Sequence, residues 1–182
     1  QWSLLLRQAC HLVEERRQQG EPLVWLDGAF ETRSPLSYLV HPLVQKNQAN
    51  LLYGPKGAGK SYIAEIIAYA VTLGMADICD MRVDTSRPHR VAYYDYEGDE
   101  DAFNERLAAI SAGCDLYGVQ IAYRHLSTPI ADCLFSIQRD VAENDITLVI
   151  VDSFVPAAGG DDMMKSGPAT RLHAALRSLN VS

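Results

Sequence analysis

The sequence is short of positive charge: 16 Lys and Arg stand against 23 Asp and Glu, a formal charge of −7. A general electrostatic grip on nucleic-acid phosphates is thereby excluded as a property of the whole surface. Any such contact must be local or shared with other chains. Long apolar runs are also lacking. The longest, residues 63–76, carries Glu65 and falls below the roughly 20 residues that span a bilayer. No membrane association is expected. The first segment mixes Arg7, Glu14, Glu15, Arg16 and Arg17 in place of a secretory apolar block. The four cysteines, Cys10, Cys79, Cys114 and Cys133, form no CxxC pair and no His/Cys cluster, which excludes zinc-finger spacing and favours buried, reduced thiols in a cytoplasmic protein. Repeats and low-complexity tracts are missing too. What remains is a chain of 182 residues, 48% hydrophobic and 21% charged, long enough to bury one substantial core.

Residues 2–19 place Leu4, Leu5, Ala9, Leu12 and Val13 at helical spacing, stopped by Gly20 and Pro22, and residues 23–30 suit a short strand. Residues 1–33 therefore read as an extension and 34–182 as the main domain. From Asn50 onward, strand-length apolar runs alternate with helical patterns, which predicts βαβ units and a mostly parallel sheet flanked by helices. The expected strands are 49–53, 91–96, 119–123 and 146–151. The expected helices carry Ile63, Ile66, Ile67, Ala70 and Val71; then Phe103, Leu107 and Ile110; then Ile130, Leu134, Ile137 and Val141 behind a Thr128 cap and Pro129; and last Leu172, Leu176 and Leu179 after Pro168. The β-branched run 146–151 has the composition of a central strand. After the final helix another strand is expected, so the sheet reads as truncated before its last strands.

Gly54-Pro55-Lys56-Gly57-Ala58-Gly59-Lys60-Ser61 satisfies G-x-x-x-x-G-K-[ST] between an expected strand and an expected helix. Glycines allow successive backbone N–H groups to turn inward around phosphates, with the positive end of the helix behind them. Lys60 would reach the β- and γ-oxygens of ATP, and the Ser61 hydroxyl would hold Mg²⁺. Tyr62 completes the cofactor-binding set, and Lys56 suits a solvent-facing or phosphate-steering charge better than a catalytic one.

Asp152 stands at the C-terminal tip of the run 148–151, where open α/β sheets bind ligands, and is read as a second Mg²⁺ carboxylate acting through water. The next residue is Ser153, so the base that activates water must come from elsewhere. In the strand 91–96 a period of 2 points Asp95 and Glu97 to one side at its tip; Glu97, farther out, is the candidate base and Asp95 the second choice. Asp99, Glu100 and Asp101 suit the start of the following helix.

Together these residues resemble the RecA-like P-loop ATPases, in particular the RepA-type hexameric replicative helicase and AAA-domain branch, from about Ser34 onward. The resemblance implies a catalytic glutamate at Tyr94-Asp95-Tyr96-Glu97 and an arginine, Arg106 in Asn104-Glu105-Arg106-Leu107, beside the adenine. It also implies a homo-oligomer, hexameric in that branch, with single-stranded DNA as a partner and a mobile loop over residues 157–167. That loop carries Asp161 and Asp162 against one Lys165, a departure that weakens the case for gripping phosphates. Arg124, Arg171 and Arg177 are unassigned candidates for a residue completing a neighbouring site. The implied activity is Mg-dependent ATP hydrolysis coupled to DNA translocation or remodelling. The alternatives are a regulatory or scaffold ATPase and, less supported, a small-molecule kinase, which would need a basic lid that does not follow Asp152.

Overall fold

The computed structural model describes residues 7, 8, 10, 11, 25, 37–78, 80–115, 117–160 and 166–179. The chain divides into two compact units, Gln1–Pro35 and Leu36–Ser182. In the first, Arg7, Gln8, Cys10 and His11 have helical backbone. The remainder of the expected helix 2–19, and the strand 23–30 apart from Trp25, lie outside the described residues.

The second unit holds two sheets. Strands β1 (Tyr38–His41), β2 (Val44–Gln45), β3 (Asp77–Ile78) and β4 (Met81–Val83) pair antiparallel in the order β2-β1-β4-β3. Strands β5 (Val91–Asp95), β6 (Ala122–His125) and β7 (Leu148–Asp152) pair parallel in the order β6-β5-β7. Helix α1 (Lys60–Leu73) leads from the phosphate loop, α2 (Glu100–Cys114) follows β5, α3 (Ile130–Glu143) follows β6, and α4 (Phe154–Ala158) and α5 (Ser166–Arg177) follow β7. This is the α/β architecture of a P-loop NTPase, a parallel sheet flanked by helices.

Every side chain of β5 is buried, and the period of 2 sends alternate residues to opposite layers. Ala92 and Tyr94 join Ile130, Ile137, Val141, Ala157 and Leu172 beneath α3, α4 and α5. Val91 joins Leu39, Val40, Ile67, Ala68, Val71 and Val83 between α1 and the antiparallel sheet. On the α2 side, Phe103 packs its ring 4.9 Å from that of Tyr93 and 4.8 Å from that of Tyr123.

Several expectations are corrected. β5, not β7, is central among the described strands, and β7 is only half-buried. A continuous apolar run reports burial on two faces, not pairing on two edges. Residues 49–53 form no strand: Asn50 bonds back to Gln45 and Gln48, and Leu51, Leu52 and Tyr53 are exposed. Residues 119–121 precede β6, and Pro129, not Thr128, takes the cap position of α3. The start of the expected mobile loop is packed, because Ala157 and Ala158 are buried in α4, while residues 161–165 lie outside the described residues. The expected burial of the cysteines does not hold, since Cys10 and Cys114 are exposed and Cys133 is half-buried; all three are free thiols, and Cys79 lies outside the described residues. Cys114 ends α2, whose one buried residue is Phe103.

Candidate functional site

The phosphate loop owes its shape to two glycines. Gly57 and Gly59 have φ of 78° and 77°, the left-handed region that side chains with a Cβ rarely adopt. Gly59 is the cap residue of α1, which has neither a side-chain cap nor an acidic residue in its first turn. Its leading amides are therefore uncompensated by protein charge, the condition under which a helix start attracts an anion. Lys60 turns its Nζ onto the carbonyl oxygens of Gly54 and Pro55, at 3.1 and 3.0 Å. Gly54, Pro55, Lys56, Gly57 and Ala58 are exposed, Ser61 is half-buried in the first turn of α1, and Tyr62 is half-exposed beside it.

Strand register builds the other half of the site. Asp95 pairs with Asp152 across β5 and β7, so both carboxylates end adjacent parallel strands at their C-terminal tips. Tyr96 N–H donates to the Asp152 carbonyl at 2.6 Å and carries the pairing one residue further. The Asp95 side chain is 2% exposed, and its Oδ1 accepts the N–H groups of Glu97 and Gly98, each at 2.9 Å. This turn commits Asp95 to holding the chain and leaves Glu97, which is exposed, as the outward carboxylate. The Ser153 hydroxyl donates to Glu97 Oε1. Asp99 caps α2 by accepting Ala102 N–H at 2.8 Å, with Glu100 and Asp101 in the first turn.

Three partners were not foreseen. Tyr93 donates its hydroxyl to Asp152 Oδ2 at 2.7 Å, and burial together with the Asp152 charge pushes the phenol well above its usual range. Glu65, fully buried on α1, accepts Arg106 Nε at 2.6 Å, and its Oε2 has no hydrogen-bond partner among the described residues. Burial raises the Glu65 carboxyl, the Arg106 bond and charge oppose that rise, and the Asp152 and Asp95 charges add to it. A charge alone inside the apolar stretch 63–76 was the signal that could have revealed this pair. The Arg106 Nε is thus occupied by a carboxylate, and this geometry lends no support to placing the side chain against an adenine. Arg124 is paired with Asp140 at 2.7 Å, whereas Arg171 and Arg177 are exposed on α5.

Among the described residues no cluster of three or more His, Cys, Asp or Glu could hold a metal ion. The groups expected to hold magnesium are instead one hydroxyl, Ser61 in the first turn of α1, and one carboxylate, Asp152 at the tip of β7. That set fits magnesium held largely by phosphate oxygens and water. A cavity of about 480 Å³ lined by Arg87, Gln138, Asp145, Thr147 and Ser178 lies at the N-terminal ends of β5 and β7, away from these groups. Among the described residues no helix is long and apolar enough to cross a membrane.

The family model of the AAA domain matches residues 14–182, nearly the whole chain. No curated protein matches it. The phosphate loop at the head of α1, the two strand-tip carboxylates in register and this match lead to one conclusion: the chain belongs to the AAA domain family of P-loop ATPases.

Proposed function

We propose that the chain binds ATP with Mg²⁺ and hydrolyses it at the strand tips, residues 34–182 forming the ATPase core and 1–33 an extension. The observation that carries this reading is the loop from Gly54 to Ser61, whose two left-handed glycines and uncapped helix start leave amides and a lysine for a polyphosphate. Lys60 exchanges its two carbonyl contacts for β- and γ-oxygens. Ser61 and Asp152 would hold the magnesium ion, which when bound neutralises charge on those oxygens. Glu97 orients the attacking water and accepts its proton. Tyr93 fixes one oxygen of Asp152, leaving the other to face the site.

By resemblance to the RepA-type branch, we extend the proposal to a homo-oligomeric, hexameric motor that couples hydrolysis to moving or remodelling single-stranded DNA. The formal charge of −7 restricts that contact to a local surface. The regulatory or scaffold reading differs from it in one measurable respect, the response of turnover to nucleic acid.

Lys60→Ala is expected to weaken nucleotide binding about 100-fold by calorimetry. Glu97→Gln should keep binding and lose hydrolysis by about 100-fold or more. A Glu97→Gln protein with wild-type turnover would remove the base assignment. Turnover that ignores added single-stranded DNA or RNA would favour the regulatory reading over the motor.

A further inference from the structure

Ser153 occupies the cap position of α4, where a serine ordinarily turns its oxygen onto the helix amides, yet it makes no side-chain cap bond there. Its hydroxyl instead donates across the strand tips to Glu97 Oε1. The backbone at Glu97 and Gly98 is already held from two sides, by Asp95 and by His125, with no room for a side chain at Gly98. Asp95 Oδ1 takes the N–H groups of Glu97 and Gly98, His125 Nδ1 lies 2.9 Å from the Gly98 carbonyl, and a Cβ on Gly98 would meet Asp95 Oδ2 at 2.8 Å. An exposed glutamate on a fixed backbone still rotates about its own side-chain torsions. Ser153 is the contact that restrains them.

We propose that Ser153 is the positioning residue of the catalytic glutamate: by bonding Oε1 it leaves Oε2 as the oxygen that meets water, in one orientation. This rests on the reading of Glu97 as the base. The bond joins the two elements that the site needs in register, since Ser153 directly follows Asp152, the last residue of β7, and Glu97 lies two residues beyond Asp95, the last residue of β5. The role is geometric. Ser153 is neither the acid nor the base of the step, and its hydroxyl acts only through the carboxylate it holds.

The test compares Ser153→Ala, Ser153→Thr and Glu97→Gln in the full chain. Ser153→Ala should lower kcat about tenfold, the worth of one hydrogen bond to a charged group, with KM and nucleotide Kd within about twofold. Ser153→Thr, which keeps the hydroxyl, should recover most of that loss. Added to Glu97→Gln, Ser153→Ala should cost nothing more. In nucleotide-free protein labelled with ¹³C at the glutamate carboxyl carbon, the resonance assigned to Glu97 by its loss in Glu97→Gln should move in Ser153→Ala and stay in Ser153→Thr. An unmoved resonance with unchanged kcat overturns the proposal, and so does an additive loss in the Glu97→Gln background. Full turnover by Glu97→Gln is a different failure: it overturns the base reading and the positioning role with it.

Discussion

The two halves of the candidate site are built in opposite ways. At the strand tips each carboxylate has a partner inside the protein: Asp95 holds two amides, Tyr93 holds Asp152 and Ser153 holds Glu97. In the phosphate loop the helix start carries no side-chain cap, Ala58 N–H turns back only to the Pro55 carbonyl at 3.3 Å, Lys60 rests on its own loop carbonyls, and the preceding Leu51 and Tyr53 are 66% and 87% exposed. On the proposed reading, the half that would perform proton transfer needs a geometry set before substrate arrives, and internal bonding supplies it. The half that grips phosphate must keep its donors unsatisfied until the anion supplies the acceptors. A substitution should therefore damage stability at the tips and affinity at the loop.

The largest effect on stability is expected at the seam between α1 and α2. Arg106→Ala leaves the Glu65 carboxylate buried with neither oxygen paired, a change that costs about 3 kcal/mol. Urea unfolding measures it. The double variant Glu65→Leu/Arg106→Leu should recover most of the loss, because both desolvation costs go together. A single variant within about 0.5 kcal/mol of wild type would show that the buried pair does not bolt the two helices.

Glycine substitutions sharpen the contrast. In Gly98→Ala the new methyl lies 2.8 Å from Asp95 Oδ2, an oxygen on a buried and bonded side chain that cannot swing away, so about 2 kcal/mol and much of the turnover should be lost. In Gly54→Ala the nearest atoms are 3.8 and 3.9 Å away, and stability should hold within about 0.5 kcal/mol. Equal thermal shifts for the two would erase the distinction between the halves. Tyr93→Phe comes next: it strips one hydrogen bond from Asp152 and should cost about 1 kcal/mol in urea unfolding while leaving the loop's nucleotide affinity within about threefold.

The two halves also differed in how far they could be read in advance. The phosphate loop was legible because its mechanism is local, a run of consecutive amides announced by glycines and a lysine. The order of helices and parallel strands was legible from periodicity, since β5, α3 and β7 are long enough to repeat their pattern. The antiparallel sheet escaped because its strands run from two to four residues, too short to establish a period of 2. The pairing of β7 with β5 alone among the described strands escaped because composition does not encode pairing. The Ser153–Glu97 and Tyr93–Asp152 bonds join residues 56 and 59 positions apart, and only the register of β5 against β7 brings them together. Alternation along one strand makes Glu97 a candidate; its partner Ser153 follows the end of another.

The antiparallel sheet supplies a control remote from both halves. Asp84 follows β4, pairs with the Lys46 ammonium and accepts the N–H and hydroxyl of Ser86. The bond from Lys46 holds its carboxyl down to about 2, against the opposing effect of burial. The folded protein thus binds this proton more weakly than the unfolded chain does, so the contribution is complete above about pH 4 and is lost as pH falls through about 2. His89 sits against the same residue, its Nε2 being 3.1 Å from the Asp84 carbonyl, and burial lowers its imidazole, so protonating it also works against the fold as pH falls. With Lys46 30% exposed, solvent screening reduces the Asp84 contribution to about 1 kcal/mol. Urea unfolding between about pH 4 and pH 2 should therefore show wild type losing about 1 kcal/mol more than Asp84→Asn, which never had that charge to lose. Parallel pH curves for the two proteins would mean that the Lys46 pair contributes nothing to folding, and this sheet would then owe its stability to the apolar contacts of Leu39, Val40 and Val83.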